Sequence, residues 1–313
     1  MGRYYDVFEG LKTAWVRWRD SELLKWVVLE FAGFIVLAML AGLLLVAMVG
    51  PQALLDIMSA AGSRASGSQA ASTQAASRAL AGVIMPFIAI LLVVFLAYAL
   101  ACFFYFQPRI MRAALAAYGA KVPAKLPGMV DWLMLHIRLF FINLACWYDK
   151  KLLIPAAASV ALTIVFLIVS FVANAALIGV FAFVMLALVC WMVASTVHGI
   201  RTGFAPWMFL RGDGPENEMP TASYGLVIGQ TLEVFLSYFV FGILFGLAAM
   251  GVAIVRIIVS LIPCIGPIID MVINLAFQLF SQAYTNAIQA DIFLFFDKNG
   301  PVKPAPAAAK KKK

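Results

Sequence analysis

The hydrophobic pattern of the chain is dominated by one run, residues 152–200, that contains no Asp, Glu, Lys or Arg over 49 positions. Lys150 and Lys151 precede the run and Arg201 follows it. A bilayer core of about 30 Å is crossed by about 20 helical residues, so the run is too long for one membrane span and fits two. It predicts a transmembrane hairpin of spans 152–173 and 176–200 that folds back near Asn174.

Other apolar runs predict four further spans at about 26–50, 83–106, 234–259 and 268–296. These runs are continuous, whereas the strands of a membrane barrel would alternate over about ten residues, so helices are predicted. The expected fold is all-α, a polytopic membrane bundle of six transmembrane helices with added interfacial amphipathic helices. Residues 1–298 form its single membrane domain.

The remaining segments divide by charge. An interfacial helix at 3–20 and segments 107–151 and 201–233 carry most basic residues, whereas the loop at 51–79 is rich in Ala, Ser, Gln and Gly. Of 23 Lys and Arg, 20 lie in the segments predicted to be cytoplasmic when Lys25 is counted with the first helix and Lys298 with a disordered basic tail at 299–313, and 2 lie in the outer loop. Basic residues favour the cytoplasmic side, so both termini are predicted to be cytoplasmic and the protein to lie in the cell membrane.

Tryptophans are concentrated at the same predicted interface. Trp and Tyr prefer the level of the lipid headgroups because one end of the ring is apolar and the other polar. The residues predicted to anchor the cytoplasmic face are Trp15, Trp18, Trp132, Trp147 and Trp207. Each predicted hairpin also follows a short amphipathic segment, which indicates a unit of one interfacial helix and one hairpin used three times.

Several short motifs accompany this layout: Trp15-x-x-Trp18-Arg19-Asp20-x-Glu22-Leu23-Leu24, Ala205-Pro206 with an acidic turn, Ala222-Ser223, Gly229 and Ile262-Pro263-x-x-Gly266-Pro267. On these motifs the chain resembles a broad group of uncharacterised prokaryotic six-span membrane proteins. That group is related in pattern to the membrane domain of some glycerophosphodiester phosphodiesterases. The resemblance implies a six-span fold, and it supplies no catalytic residues.

The last predicted span carries a stripe of amide side chains at helical spacing, Asn274, Gln278, Gln282, Asn286 and Gln289. Residues four apart lie on one face of a helix. The stripe is either a polar path for a solute or a set of interhelical hydrogen bonds, which contribute about 0.6 kcal/mol each within membranes. Packing is favoured because amides without an accompanying charge pair are common packing groups.

Two charges, Arg256 and Asp270, lie on either side of the Pro-rich turn between the last two predicted spans. Intramembrane charges are costly and usually paired or functional. We expect an ion pair that fixes this hairpin near the outer interface, with a role in a transport gate as the alternative.

Composition excludes several classes of function. With 64% hydrophobic and 12% charged residues the chain is outside the range of soluble domains, and its net charge of +8 lies beside apolar spans, which argues against nucleic-acid binding. The four cysteines are far apart and have no metal-ligand spacing, and no motif for nucleotide, metal or nucleophilic catalysis is present, so no enzyme activity, cofactor, metal or disulfide is expected.

The leading hypothesis is therefore a non-enzymatic structural or accessory subunit of a membrane assembly. Its amphipathic helices and basic tail would contact membrane lipid, a membrane-protein partner or a second copy of the chain. The alternative is a small-solute permease whose path follows the amide stripe.

Overall fold

The computed structural model describes residues 4–49, 88–148, 177–262 and 265–299, together with scattered positions between 154 and 168. The chain is all-α and 85% helical, with no strand among the described residues, which confirms the predicted fold class at that level. It divides into two compact units, one formed by Met1–Leu24 and Pro108–Lys313 and the other by Lys25–Gln107.

The helices with continuous bounds are numbered here in chain order. They are α1 (Val7–Arg17), α2 (Ser21–Val49), α3 (Ile88–Ala117), α4 (Met129–Ala145), α5 (Leu177–Thr202), α6 (Ala205–Arg211), α7 (Met219–Val227), α8 (Thr231–Ser260) and α9 (Gly266–Asn299).

Four of the described stretches are long and apolar enough to cross a membrane: Ser21–Leu44, Ile88–Ala117, Met185–Arg211 and Thr231–Ser260. They coincide with four of the six predicted spans and indicate a membrane protein. Most of the predicted span 152–173, its fold-back at Asn174, the loop 51–79 and nearly all of the tail lie outside the described residues. The predicted sixth span is helical in α9 but is not one of the four.

Side-chain exposure changes along the long helices of the first unit. In α8, most apolar residues from Ile243 to Ile258 are exposed and none is buried, whereas its first turns combine exposed residues such as Leu232 with the buried Val234 and Phe241. In α9, Ile268 and its neighbours are exposed, and the residues between positions 283 and 296 are mostly buried. Exposed apolar surface on a helix of this length suits lipid contact, and burial requires protein contact.

The buried ends of these helices meet in one packed core. Phe204, just before α6, contacts Phe293 and Phe296 of α9 with ring centroids 5.4 and 6.3 Å apart. Trp132 of α4 stacks on Phe209 of α6 at 6.5 Å. We call this set of buried residues from α3, α4, α5, α6, α7 and α9 the packed core.

One face of helix α1 packs on α9, whereas Phe8 and Val16 elsewhere on the helix are exposed, so its place in the membrane interface stays a prediction. The Tyr5 hydroxyl donates to Asp291 Oδ2 at 2.7 Å, and the Tyr284 hydroxyl donates to the Leu11 carbonyl at 3.1 Å. These pairs run in opposite chain order, so α1 is antiparallel to the C-terminal half of α9. The amphipathic pattern of α1 fits a protein surface as well as lipid, and its buried face carries Gly10 and Ala14.

Helix α3 continues past the predicted end of its span at position 106. Residues Cys102–Phe106 form a π-helical turn, in which the Gln107 N–H donates to the Cys102 carbonyl. The next residue, Pro108, has no N–H to donate, and a wider turn just before it relieves the clash that proline causes inside a regular helix. The helix therefore extends to Ala117, and its last turns belong to the packed core.

The second unit contains an antiparallel pair formed by α2 and α3. The Tyr98 hydroxyl donates to the Glu30 carbonyl at 2.7 Å, and the Tyr98 ring lies 5.8 Å from that of Phe34. Trp26 and Tyr105 are in ring contact at 6.0 Å. Residues early in α2 thus contact residues late in α3, as the predicted hairpin requires.

The exposure pattern makes a labelling prediction. In a chain whose four native cysteines are changed to Ala, a cysteine placed at Lys298 should react with a water-soluble maleimide in proteoliposomes opened with mild detergent. A cysteine at Met271, which is exposed among other exposed apolar residues, should react at least tenfold more slowly than the one at Lys298 in the same proteoliposomes, because lipid covers it. Rapid labelling at both positions would contradict the assignment of the N-terminal half of α9 to the membrane.

Candidate functional site

The densest polar arrangement of the packed core joins the end of α4 to the end of α5. Helix α5 is strongly apolar, yet Ser195, His198 and Thr202 follow one another at spacings of three and four residues. His198 and Thr202 have no exposed surface. Polar groups buried in this way must be hydrogen-bonded, because an unpaired one costs roughly 1–3 kcal/mol.

Asn143 near the end of α4 provides the acceptors for this cluster. Its side-chain Oδ1 accepts from Nδ1 of His198 at 2.9 Å and from the Thr202 hydroxyl at 2.7 Å. Its backbone carbonyl accepts from the Ser195 hydroxyl at 3.1 Å, and the adjacent Leu144 carbonyl accepts from Nε1 of Trp191 at 3.1 Å. Side chains of α5 therefore supply further donors for the last carbonyls of α4. The backbone N–H of Cys146 also donates to the Asn143 carbonyl, at 3.3 Å.

The protonation state of His198 follows from its contacts. The backbone N–H of Tyr148 donates to His198 Nε2 at 3.1 Å, so that nitrogen carries a lone pair, and Nδ1 carries the proton that faces Asn143. The imidazole is neutral, with both nitrogens engaged. Accepting a proton from a substrate would break the Tyr148 contact, so the geometry suits a residue that holds helices in position.

Aromatic rings extend the cluster toward α7 and α8. The Tyr148 ring stacks on His198 with centroids 5.8 Å apart, and Tyr224 lies 5.5 Å from His198. Arg201 donates from Nη1 to the Tyr224 hydroxyl at 3.2 Å and from Nε to the Thr231 hydroxyl at 3.0 Å. One connected network thus holds α4, α5, α7 and the first turn of α8.

A second charged group lies deeper in the packed core. Arg211 at the end of α6 pairs with Asp297 at 2.6 Å and donates from Nε to Asp213 at 2.9 Å, and its guanidinium lies 4.9 Å from the Phe293 ring centroid. The hydrogen bonds to Asp297 and Asp213 offset the cost of burying the Arg211 guanidinium. Gly212, with φ of 85°, allows the chain to turn beside this pair.

The contact between α1 and α9 also contains buried polar groups. Burial, followed by the nearby Asp291 carboxylate, raises the pKa of Tyr5, so its hydroxyl remains a donor at all ordinary pH values. Tyr118, just after α3, has its pKa raised by the same two causes in the same order. On α4, burial lowers the pKa of His136, whose Nδ1 lies 2.9 Å from the Trp132 carbonyl.

The structure does not bring the predicted amide stripe together as one site. Oδ1 of Asn274 accepts from Nη1 of Arg256 at 2.9 Å, and Nδ2 of Asn286 donates to the backbone carbonyl of Gln282 at 2.8 Å. Gln278 is exposed, and Gln289 is half-buried. Asn274 therefore bonds across to α8 and Asn286 bonds within its own helix, whereas the role of the stripe as path or packing remains a prediction.

Arg256 and Asp270 are in contact at the end of the α8–α9 hairpin that lies away from the packed core. Nε of Arg256 donates to Oδ1 of Asp270 at 2.6 Å, and Nη2 donates to Oδ2 at 3.2 Å. This bidentate pairing, with Asn274 as a third partner, matches the geometry expected of an ion pair that holds the hairpin closed.

The predicted interface tryptophans fall into two groups. Trp15 is 50% exposed and Trp147 is 66% exposed, as an interface anchor should be, and Trp18 packs edge-on against Phe280 at 5.1 Å. Trp132 and Trp207 are only 1% and 4% exposed. These two belong to the packed core because their rings fill space between α4, α6 and α9, so their assignment as interface anchors needs correction.

Sequence reasoning did not single out Asn143, Tyr148, Tyr224 or His198. Asn143 and Thr202, a hydrogen-bonded pair of this network, are 59 positions apart along the chain. One signal was present in the sequence: Ser195, His198 and Thr202 recur on one face of an otherwise apolar helix, which calls for a polar partner on a neighbouring element.

Among the described residues, Cys102, Cys146 and Cys190 form no disulfide, and no group of three His, Cys, Asp or Glu side chains could hold a metal ion. Comparison with known proteins adds no assignment: no family model, curated protein or solved structure matches the chain. The resemblance to six-span membrane proteins stays a prediction, and the site is interpreted from its own chemistry.

Replacing Asn143 by Leu should destabilise the protein by about 2 to 4 kcal/mol, because buried donors on His198 and Thr202 lose their shared acceptor. The measurement is thermal unfolding in detergent, followed by tryptophan fluorescence. Gln278→Leu, an amide loss at an exposed position, is the matched control and should leave the melting temperature within 1 °C. Equal melting temperatures for the two variants would contradict the role given to Asn143.

For the ion pair, Arg256→Gln and Asp270→Asn should each lower the yield of monodisperse protein, since each leaves one charge without its partner. The double variant should recover part of that yield, because both charges are then gone. Fluorescence-detected size-exclusion chromatography gives the readout. Wild-type yield in both single variants would show that the pair does not stabilise the hairpin.

Proposed function

We infer that the protein is a non-enzymatic accessory or structural subunit of a membrane assembly, held in the bilayer by helical hairpins. The observation that carries this proposal is the outward face of α4. This helix buries Trp132, Leu135 and Leu139 in the packed core, and its opposite face is also apolar, with Val130 68% exposed and Phe141 61% exposed.

Because α4 is apolar on both faces and only one face contacts the packed core, the other face needs to be covered by lipid or by another protein. Val130, Ile137, Phe141 and Leu144 lie at spacings of seven, four and three residues, so they share one face and form a continuous stripe. We call this the α4 stripe. Only scattered single apolar residues are ordinary on a water-exposed surface, so the α4 stripe is the surface that lipid or a partner would cover.

The long apolar helices support the same proposal. None of the most apolar stretch of Thr231–Ser260 is buried by the described part of the chain, and the same holds for Ile88–Ala117. Such surfaces are available for lipid tails and for the spans of another membrane protein. Close packing between membrane helices depends on matched surfaces rather than on the hydrophobic effect, so a partner would be recognised by shape.

The polar groups favour a structural role over solute transport. His198 has both ring nitrogens engaged, Arg211 is paired with two carboxylates, and Arg256 is paired with Asp270. In the amide stripe, Asn274 accepts a hydrogen bond from Arg256, and Asn286 donates one to a backbone carbonyl of its own helix. A permease along α9 would have to break some of these contacts to coordinate its solute.

The proposed orientation follows from charge. The packed core contains the ends of the helices that lead into the basic segments, so the positive-inside rule places it, and both termini, on the cytoplasmic side of the cell membrane. In that orientation the Arg256–Asp270 pair lies near the outer face.

The direct test is purification of the tagged chain from its own membranes in mild detergent, followed by mass spectrometry and particle imaging. The proposal expects a stoichiometric protein partner in a particle larger than the chain alone. The double variant Ile137→Asn, Phe141→Asn should lose that partner, whereas Val16→Asn, an equally exposed apolar change on α1, should keep it.

A lone wild-type particle would overturn the accessory-subunit proposal. Solute flux in liposomes that disappears in the variant Gln278→Leu, Gln282→Leu would favour the permease instead.

A further inference from the structure

A corner of aromatic and basic side chains lies where α1 turns into α2. Trp15 and Trp18 contact Phe280 of α9 with ring centroids 5.7 and 5.1 Å away. Phe280 stands between the exposed apolar residues of α9, which end near Val272, and the buried ones, which begin at Ala283. The corner is therefore level with the boundary between lipid and the packed core, where Trp side chains are enriched in membrane proteins.

Arg19 is held over both indoles of this corner. Its guanidinium lies 5.5 Å from the ring centroid of Trp15 and 5.6 Å from that of Trp18. The Arg19 residue is exposed, so the rings support the charged group and leave its outer edge toward solvent. At this depth an arginine extends toward the phosphates of the lipid headgroups, to which its planar fork can donate two parallel hydrogen bonds.

Trp18 provides a second donor at the same place. Its Nε1–H is buried and has no hydrogen-bond partner in the structure. A buried donor left unpaired is costly, so an acceptor from outside the chain would stabilise the corner. As the side chains lie, an oxygen reaches this nitrogen only after a neighbouring side chain moves.

Nearby acidic groups keep this corner from acting as a general basic patch. Oδ1 of Asp20 accepts from the backbone N–H groups of Glu22 and Leu23, so that carboxylate caps the start of α2. With Asp20 and Glu22 beside Arg17 and Arg19, the local charges balance. Any anion held here must be bound by directed hydrogen bonds rather than by a diffuse positive field.

We propose that Trp15, Trp18 and Arg19 form a phospholipid site, in which Arg19 binds the headgroup phosphate and Trp18 Nε1 donates to one of its oxygens. Trp15 supplies the half-exposed ring against which the glycerol region packs. The site is independent of the accessory-subunit proposal, because it needs lipid and no protein partner.

The experiment is native mass spectrometry of the purified full chain, titrated with dioleoyl phosphatidylglycerol in mild detergent. Arg19→Gln should weaken the first lipid adduct about tenfold, as loss of one charge-assisted hydrogen bond implies. Trp18→Phe, which retains a ring but removes the N–H, should weaken it about threefold. Dioleoylglycerol, which lacks the phosphate, should bind equally weakly to all variants.

Lys12→Gln is the matched control, since it removes an exposed positive charge from the same helix outside the corner. It should leave the lipid affinity within twofold of wild type. Wild-type affinity in Arg19→Gln, or an equal loss in Lys12→Gln, would overturn the site. Because Arg19 is exposed, its replacement should leave the folded yield unchanged, which size-exclusion chromatography checks in the same samples.

Discussion

The packed core depends on one constraint: the last backbone carbonyls of α4 need hydrogen-bond donors. A helix that ends inside protein leaves up to four carbonyls without partners within the helix. Here the backbone N–H groups of Cys146 and Trp147 donate to two of them, and α5 adds side-chain donors through Trp191 and Ser195. Asn143 then turns the same junction into a buried network by accepting from His198 and Thr202. Because donors and acceptors come from different helices, the network fixes the register of α4 against α5 in a way that apolar contacts alone would not.

The rest of the first unit has two environments, the lipid and the packed core. Lipid tails satisfy no polar group, so the exposed stretches of α5, α8 and α9 are apolar on their surfaces, and charges there, such as Arg256, are paired. In the packed core the helices pack on one another, and polar residues occur in networks. Helix α1 follows the same rule: its small residues Gly10 and Ala14 face α9, and its larger apolar residues remain outside.

The parts of the fold that were predictable from sequence are those that one local signal determines. The charge-free run 152–200 and the long apolar segments predicted spans, and α2, α3, α5 and α8 are apolar helices of the right length. Trp132 shows where the signal fails, since preference for a membrane interface and burial in a core favour the same residue type. The packing of α1 on α9 could not be predicted from the sequence either, because an amphipathic helix fits a lipid surface or a protein surface equally well.

The candidate site was less predictable for a related reason. His198 and Asn143 are 55 residues apart, and no spacing rule relates positions on different helices. The Arg256–Asp270 pair was accessible to sequence reasoning because its members are 14 residues apart across one tight turn. Sequence thus predicts polar pairs within a hairpin, whereas pairs between hairpins require the fold.

Hydrogen exchange of the chain in lipid nanodiscs, wild type against Asn143→Leu, tests most directly whether one network holds the core together. The account predicts faster exchange in α6 and α7, which lie beyond the substituted residue, together with the end of α5. It also predicts unchanged exchange in the exposed apolar part of α8. Faster exchange limited to the last turn of α4 would contradict it, because the network would then be a local cap and not the link between helices.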